Sequence, residues 1–570
     1  MVEAFEDLLK AVGTGKWNIL TFVTVAYWFN VIVYHALAVA FVAPAVDYTC
    51  VVPNEVQPTL LSQVHNGNES EIHKCYYTSN NISRECQEWH YDNTTFGYTM
   101  TSEFDLVCDR AYLRSIYQSV YMFGSFIAAP VGGILADKYG RKFFFTFGSI
   151  TYFLLSLIAC WLPQMSYVLV FRFLMGVMHT PTMNAAFILG MEVCAPSMRS
   201  LVGMLLALPW AFGTVIWGGL AYFIRDWRLL QFAISVPTVI IFPALWFIDE
   251  SPRWLAVRGQ HDRAIQILQK AARWNGTSLP PEEDMKELMR ATQSKASSAT
   301  EERQPAKRTH LQMVWEKIRK CTIQLFILLR TPKLRRITLV VWMTFMFSST
   351  VFFGLTLNAV NFSVDPYLYM IFNGLVEIPA YIFPPPIAAR FGRKYPITIG
   401  FFVTSVSLLS LPFIDKDNSL VVITVAMVGR LMLSSSFQMF FLYSAELFPT
   451  EVRLQGFGSG IFLSRMGGII APFITEVMGP LYSWSPSVVF GVFSFITSAI
   501  LLLLPETLNK PMPETITELE NESTRTNKRQ DLEMEKATEK SKDSEIKNDT
   551  SCRPQNRYSE GEIQEMEQKE

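Results

Sequence analysis

The sequence predicts an all-α membrane protein of about twelve transmembrane helices in two pseudo-symmetric six-helix bundles. Three observations predict it: a shortage of charge, a recurrence of long apolar runs, and charged motifs that repeat. Of 570 residues, 50% are hydrophobic and 17% charged, where a soluble protein carries about 25% charged residues. The shortage is local. Apolar runs of about 20 residues recur, each long enough to cross a hydrocarbon core of about 30 Å. One begins near Trp17 and ends near Val46; others cover 143–162, 227–248, 337–357 and 488–504. Six such runs precede Asp249 and six follow Arg336. Lipid offers the backbone no hydrogen-bond partner, so each run must be a helix.

Taken in order, residues 1–16 read as a cytoplasmic N-terminus, acidic and without a cleavable hydrophobic segment, so the first helix anchors the chain. Residues 17–248 form the first bundle, 249–336 a cytoplasmic linker, 337–507 the second bundle and 508–570 a disordered cytoplasmic tail. The tail is rich in Glu, Lys, Ser and Asn and poor in aromatics, too polar to bury a core. Lys138, Arg141, Lys142, Arg199, Arg390, Arg393, Lys394 and Arg453 fall in short loops on one side. The positive-inside rule makes that side cytoplasmic and places both termini there. A net charge of −1 argues for no nucleic-acid partner.

The long loop 47–110 lies on the outer side. It holds Cys50, Cys75, Cys86 and Cys108, and three Asn-x-Ser/Thr acceptors at Asn68, Asn81 and Asn93. Four cysteines in a glycosylatable loop imply two disulfides, with three pairings open. Cys160, Cys194, Cys321 and Cys552 are expected to be reduced. Asn275-Gly-Thr is a chance match on the cytoplasmic side, and use of Asn361-Phe-Ser, near an outer helix end, is doubtful.

The halves repeat about 254 residues apart. Glu192, Pro196 and Arg199 recur as Glu446, Pro449 and Arg453. Asp249-Glu250-Ser-Pro recurs as Leu504-Pro505-Glu506-Thr507. Gly133-Ile-Leu-Ala-Asp137-Lys138-Tyr-Gly140-Arg141-Lys142 recurs, worn, as Pro385-Pro-Ile-Ala-Ala389-Arg390-Phe-Gly392-Arg393-Lys394. Gly140 permits a tight turn, and Asp137 can pair with a basic residue of a neighbouring loop. Such clusters suit a gate latched and released as two bundles rock. Asp137, Arg141, Glu192, Arg199, Arg393, Glu446 and Arg453 are the expected gating residues, with a lopsided latch because Ala389 lacks the acid.

Cys86-Gln-Glu-Trp-His-Tyr-Asp, Thr101-Ser-Glu-Phe-Asp-Leu-Val-Cys108-Asp, Arg225-Asp-Trp-Arg, Glu250-Ser-Pro-Arg-Trp-Leu255, Arg330-Thr-Pro-Lys-Leu-Arg-Arg336 and Ala445-Glu-Leu-Phe-Pro-Thr450 follow in this order. In these motifs the chain resembles the organic cation, organic anion and carnitine transporter family of the major facilitator superfamily, through Thr507. The resemblance implies the major facilitator fold and a multi-pass plasma-membrane glycoprotein. It implies transport of a small organic ion by alternating access rather than an enzyme's chemistry. A membrane receptor or enzyme is the remote alternative. It lacks support because clustered catalytic groups, a phosphate loop and a metal motif are all absent from the sequence. No cofactor or metal is expected, Na+ or H+ coupling is left open, and the oligomeric state is unspecified.

Ionisable residues within spans are default functional candidates, at about 2.5–3.5 kcal/mol each on insertion scales. Glu377, in the eighth span within Val376-Glu-Ile-Pro-Ala-Tyr381, and Arg465, in the eleventh within Ser464-Arg-Met-Gly-Gly468, stand out. Relatives that carry cations typically have acids where Arg465 and Ser348 stand. Relatives that carry anions share the arginine without the eighth-span acid. Having both looks most like the carnitine branch. A carboxylate and a guanidinium together suit a zwitterion such as carnitine or beta-alanine. An organic cation carrier in which Glu377 dominates is the alternative. The resemblance places Phe345, Phe352, Gln231 and Gln438 at the central cavity, and His179 where carnitine-type relatives carry glutamine. Tyr381 and Trp210 are further aromatic candidates for a substrate ammonium. Asn30 and Tyr34 add polar surface, and Glu446 resembles an acid linked to sodium coupling. His35 and His179 can report pH.

Overall fold

The computed structural model describes residues 3–51, 74–79, 82–195, 198–290, 326–359, 362, 364–415, 418–508 and 512–521. Asn68, Asn81, Pro196, Asn361, Cys321 and Cys552 lie outside them. Twelve helical spans run through the two halves. Spans 1–4 are Lys16–Ala36, Tyr112–Tyr139, Arg141–Ala159 and Met165–Glu192. Span 5 is broken into Arg199–Leu205 and Leu208–Phe223, and span 6 runs as Trp227–Ser235, a tighter turn Val236–Ile240 and Ile241–Phe247. Spans 7–12 are Pro332–Leu357, Pro366–Ile382, Lys394–Ser410, Ser419–Leu447, Arg453–Phe473 and Ser485–Leu501. Eight described helices are long and apolar enough to cross a membrane by length and composition alone. Spans 8 and 12 have 17 residues each, short for a crossing and at about 26 Å dependent on their flanks.

Between spans 1 and 2 the loop folds into two hairpin-like pairs. β1 (Tyr48–Cys50) pairs antiparallel with β4 (Trp89–Tyr91), and β2 (Tyr76–Ser79) with β3 (Ile82–Glu85). Disulfides join Cys50 to Cys86 and Cys75 to Cys108, selecting one of the three open pairings. Cys160 and Cys194 are free and buried. The loop is clamped to span 6. Arg228 forms an ion pair with Glu103, and Trp227 Nε1 donates to the same carboxylate at 2.8 Å. Two motifs separated in sequence therefore meet as one lock. Asn93 is exposed.

At the opposite end the linker begins with helices Pro252–Val257 and His261–Asn275. The N-terminal residues form a further helix, Glu3–Val12, which buries Phe5, Leu8, Leu9 and Val12 in the core of the first half. Asn275 ties it down: its Nδ2 donates to the Val12 carbonyl at 3.1 Å, and its Oδ1 accepts from Trp17 N–H at 3.1 Å. The expected disorder from residue 508 is corrected for 512–521. Leu519 is buried against the second half, and Glu520 accepts the Lys333 backbone N–H at 3.0 Å, capping the start of span 7. An apolar residue every few positions in Ile516-Thr-Glu-Leu519 is what the overall polarity of the tail conceals.

Spans 5 and 8 join the halves at close range. A Cβ on Gly374 would meet Val215 N at 2.7 Å, and one on Gly218 would meet the Tyr367 carbonyl at 3.1 Å. Small residues are what allow two backbones to cross so closely without a hydrophobic driving force between helices.

Candidate functional site

The site is built from the arginines of spans 4, 10 and 11. Arg172, in span 4, is fully buried and donates both terminal nitrogens to the His35 carbonyl at 3.1 Å. That carbonyl lies in the last turn of span 1, where it also receives the Ala38 N–H at 3.4 Å. Arg172 also stacks over Tyr117 and Tyr121, with ring centroids 4.3 and 4.4 Å away. Arg430, in span 10, plays the matching part in the second half. It donates to the Phe352 carbonyl of span 7 at 2.6 Å and lies 3.9 Å from the Phe352 ring centroid.

The difference lies in the counter-ion. Arg430 pairs with Glu377, and both are buried, at 1% and 0% side-chain exposure. Among the described residues no carboxylate pairs with Arg172. A lone charge in lipid is costly, and Glu377 on span 8 answers Arg430 on span 10 within one half. Tyr381 interacts with the same carboxylate. Glu377 is therefore committed to a helix-to-helix pair, a correction to its expected role as a carboxylate offered to substrate. Phe352 is corrected with it, since the Arg430 guanidinium covers its ring.

Arg465 is placed differently. It is partly exposed, its Nε is without a partner, and it acts electrostatically on two groups of the other half, Tyr121 of span 2 and His179 of span 4. It sits between two helix-crossing contacts. Phe462 stacks on Phe126 at 4.0 Å, and Gly468 faces Met122 and Phe353. Among the described residues no carboxylate lies within ion-pair distance of Arg465. The expected pairing of Arg465 with Glu377 around one ligand is not formed.

The remaining candidates divide. Trp210 is half-buried and packs against the apolar clusters of both halves and of the loop end, as Phe353 does. Phe345 is corrected. It is fully buried within the second half among Phe437, Phe440, Phe441 and Phe457, because Gly460 opens a slot for its ring. Gln231 is buried, and both its amide atoms are without partners. Gln438 is half-buried in span 10. His179 accepts or donates through Nδ1 to the Tyr121 hydroxyl at 2.6 Å. Tyr34 donates to Asn30 at 2.6 Å, and Asn30 in turn donates to the Pro209 carbonyl at 3.0 Å.

The loop motifs pack as repeated clusters inside each half. Arg141 bridges Asp137 at 2.9 Å and Glu192 at 3.2 Å; Arg393 pairs with Glu446 at 3.1 Å and lacks the first partner. Glu250 accepts the N–H groups of Arg141 and Lys142 at 2.8 and 2.9 Å, and Glu506 accepts those of Arg393 and Lys394 at 3.0 Å each. Each carboxylate thus caps the N-terminus of the third span of its half. Gly140, at φ +106°, is what admits it: a Cβ there would stand 2.3 Å from a Glu250 oxygen. Partial burial pushes the Glu506 carboxyl up, but the N–H groups of Arg393, Leu508, Thr507 and Lys394 hold it below the usual carboxylate range. Arg199 pairs instead with Glu6 of the N-terminal helix at 2.8 Å, and Arg453 donates to the Phe448 carbonyl and Thr450. Neither meets the acid of its own repeat, Glu192 or Glu446.

Contacts between the halves gather at the loop end. Among the described residues the ion pair that crosses is Arg114–Glu476 at 3.3 Å. Ser115 donates to the Pro472 carbonyl, Ser119 to that of Ile469, and Tyr367 to that of Thr95. Tyr367 also stacks on Phe41 at 5.1 Å. The molecule is closed at the loop end, while the charged clusters at the linker end stay each within its own half.

Arg172, Arg430, Arg114, Glu476 and Phe353 were not singled out by the sequence reading. The rule that an ionisable residue within a span is a candidate reaches the two buried arginines, which stand at the same place in each repeat. Phe353 differs from Phe352 by one helical step, about 100° of rotation, which composition does not resolve.

A profile of the sugar (and other) transporter family matches residues 61–519. An organic cation transporter protein of Drosophila melanogaster is 30% identical over 505 residues, covering 86% of this chain and 89% of that one. Solute carrier family 22 member 6-A of Xenopus laevis is 31% identical, covering 77% and 75%. Organic anion transporter 3 of Oryctolagus cuniculus is 30% identical, covering 94% and 97%. Among solved structures, the proton:xylose symporter XylE bound to 6-bromo-6-deoxy-D-glucose aligns with a TM-score of 0.58 at 12% identity, covering 87% of this chain and 98% of that one. That likeness is one of fold.

Proposed function

Because this chain belongs to the sugar (and other) transporter family, among the organic cation and anion transporters of solute carrier family 22, we propose that it carries small organic anions bearing a carboxylate. The observation that carries this reading is the contrast between Arg465 and Arg430. The arginine of span 10 has its carboxylate within the protein; among the described residues the one between the halves has none. A guanidinium can hold a carboxylate through two parallel hydrogen bonds, each charge-assisted. Where a substrate ammonium would need Glu377 and the face of Phe352, Arg430 already occupies both. The aromatic groups left to a substrate are Trp210 and Phe353, which suit an apolar body attached to the carboxylate.

Transport follows by alternating access at the plasma membrane. The loop end, with its disulfides and Asn93, faces outward, and its contacts between the halves shut the outer side. Rupture of Arg114–Glu476 and of the Tyr367 contacts opens the outer side.

Uptake of labelled hippurate (an aromatic carboxylate), carnitine and tetraethylammonium tests the reading in cells expressing wild type and Arg465→Ala. Hippurate uptake is expected in the wild type and is lost about tenfold or more in the variant, the cost of one or two charge-assisted bonds. Tetraethylammonium uptake at wild-type level in both, without hippurate uptake, establishes the cation carrier instead. Carnitine uptake that falls with Glu377→Gln while hippurate is refused restores the zwitterion reading.

A further inference from the structure

His179 is a buried titratable group that anion binding alone leaves unused. It stands at the middle of span 4, 3% exposed, with Nδ1 on the Tyr121 hydroxyl at 2.6 Å. That hydroxyl continues to Tyr152 of span 3 at 2.9 Å, whose ring meets His35 of span 1 edge-on at 5.5 Å. Every element packed on it contributes a group that faces this chain of contacts. Span 2 gives Tyr121, span 3 Tyr152, span 1 His35, span 4 itself Arg172, and span 11 of the other half Arg465. Among the described residues no carboxylate does. The imidazole bears on Tyr121, whose neighbour Met122 packs against Gly468, three residues along span 11 from Arg465.

We propose that His179 is the proton site of an anion–proton symport, taking up one proton as a carboxylate seats on Arg465. The inference rests on the anion reading and adds the coupling ion. A carboxylate on Arg465 favours a proton on the neighbouring imidazole, and by linkage the proton favours the carboxylate to the same degree. The loaded site then carries no more net charge than the empty one. Reorientation of the halves around it moves no net charge through the low-dielectric interior. Tyr121 is the positioning residue: its hydroxyl holds the imidazole by Nδ1.

Full-length protein purified into liposomes tests this with hippurate, whose carboxylate stays ionised throughout the range used. Lowering external pH from about 7.5 to about 5.5 is expected to raise hippurate uptake about fivefold or more, the scale of an ordinary coupling energy. Hippurate addition is expected to alkalinise a weakly buffered medium. His179→Gln lowers hippurate uptake at acid pH to its level at neutral pH, which flattens the pH profile, and abolishes the alkalinisation. Tyr121→Phe keeps the ring, removes the hydroxyl on the imidazole and shifts the pH of half-maximal stimulation, a readout that a packing role would not move. Hippurate uptake that ignores pH in the wild type, or pH stimulation that survives in His179→Gln, overturns the symport while leaving the anion reading intact. Absence of hippurate uptake at every pH overturns both.

Discussion

The two halves hold the same arginine in different company. Arg172 and Arg430 each bind a carbonyl of the first span of their half and lie over an aromatic ring. Among the described residues only the second half supplies a carboxylate, Glu377. The first half leaves Arg172 to carbonyl and ring faces, with His35 and His179 nearby and Arg465 reaching in from across the interface. A charge buried by the fold and a charge left for a ligand are thus separated by where the acid sits. The clusters at the linker end show the reverse asymmetry, since Asp137 backs Arg141 whereas Ala389 gives Arg393 nothing.

Breaking the sealed pair has the largest expected effect. Arg430→Met leaves Glu377 ionised or protonated in apolar surroundings, at a cost of about 3–5 kcal/mol. Surface expression and thermal unfolding in detergent report it, and wild-type values for both would contradict the burial of the pair. Next is the ion pair that crosses between the halves. Glu476→Gln removes about 1.5–3 kcal/mol of charge-assisted bonding that holds the loop end shut. A cysteine placed at Ser119 is then labelled by a membrane-impermeant thiol reagent about tenfold faster than in the wild-type background. Unchanged labelling would show that Tyr367 and Phe41 close this end unaided.

A smaller effect tests the cap of span 9 by pH. Since the folded Glu506 carboxyl lies below the usual range, its contribution is present above the unfolded value of about 4.5 and is lost as pH falls through the lower folded value. Acid unfolding of Glu506→Gln should therefore be less steep than that of the wild type below about pH 4.5. Equal steepness would remove the cap from the account. The smallest is Ala389→Asp, which gives Arg393 the i,i+4 acid that Arg141 has. At an exposed position it adds about 0.3–0.5 kcal/mol, measured as a small rise in melting temperature.

The spans, the repeat and the loop locks were legible because each is a local pattern: an apolar run, a fixed spacing, a motif. The site was legible only in part, because partnership in lipid is decided across helices. Glu377 reads as a lone acid until Arg430, embedded in Val428-Gly-Arg-Leu431, is seen to meet it. Arg199 reads as one end of a repeated loop motif, and its partner, Glu6, lies far upstream of it. Phe345 was expected at the cavity and lies inside a cage of four phenylalanines, where only the presence of Gly460 on span 11 hints at the slot. Residues 512–521 were hidden by the polarity of the tail that follows them.

The separation of the two arginines is tested most directly by hippurate uptake in Glu377→Met, Arg430→Met and the double variant. The account predicts that each single variant loses surface protein and uptake, and that removing both charges restores them, because the pair serves the fold and Arg465 serves the ligand. A folded Glu377→Met protein that still takes up hippurate but no longer takes up carnitine would place that carboxylate on the substrate and contradict it.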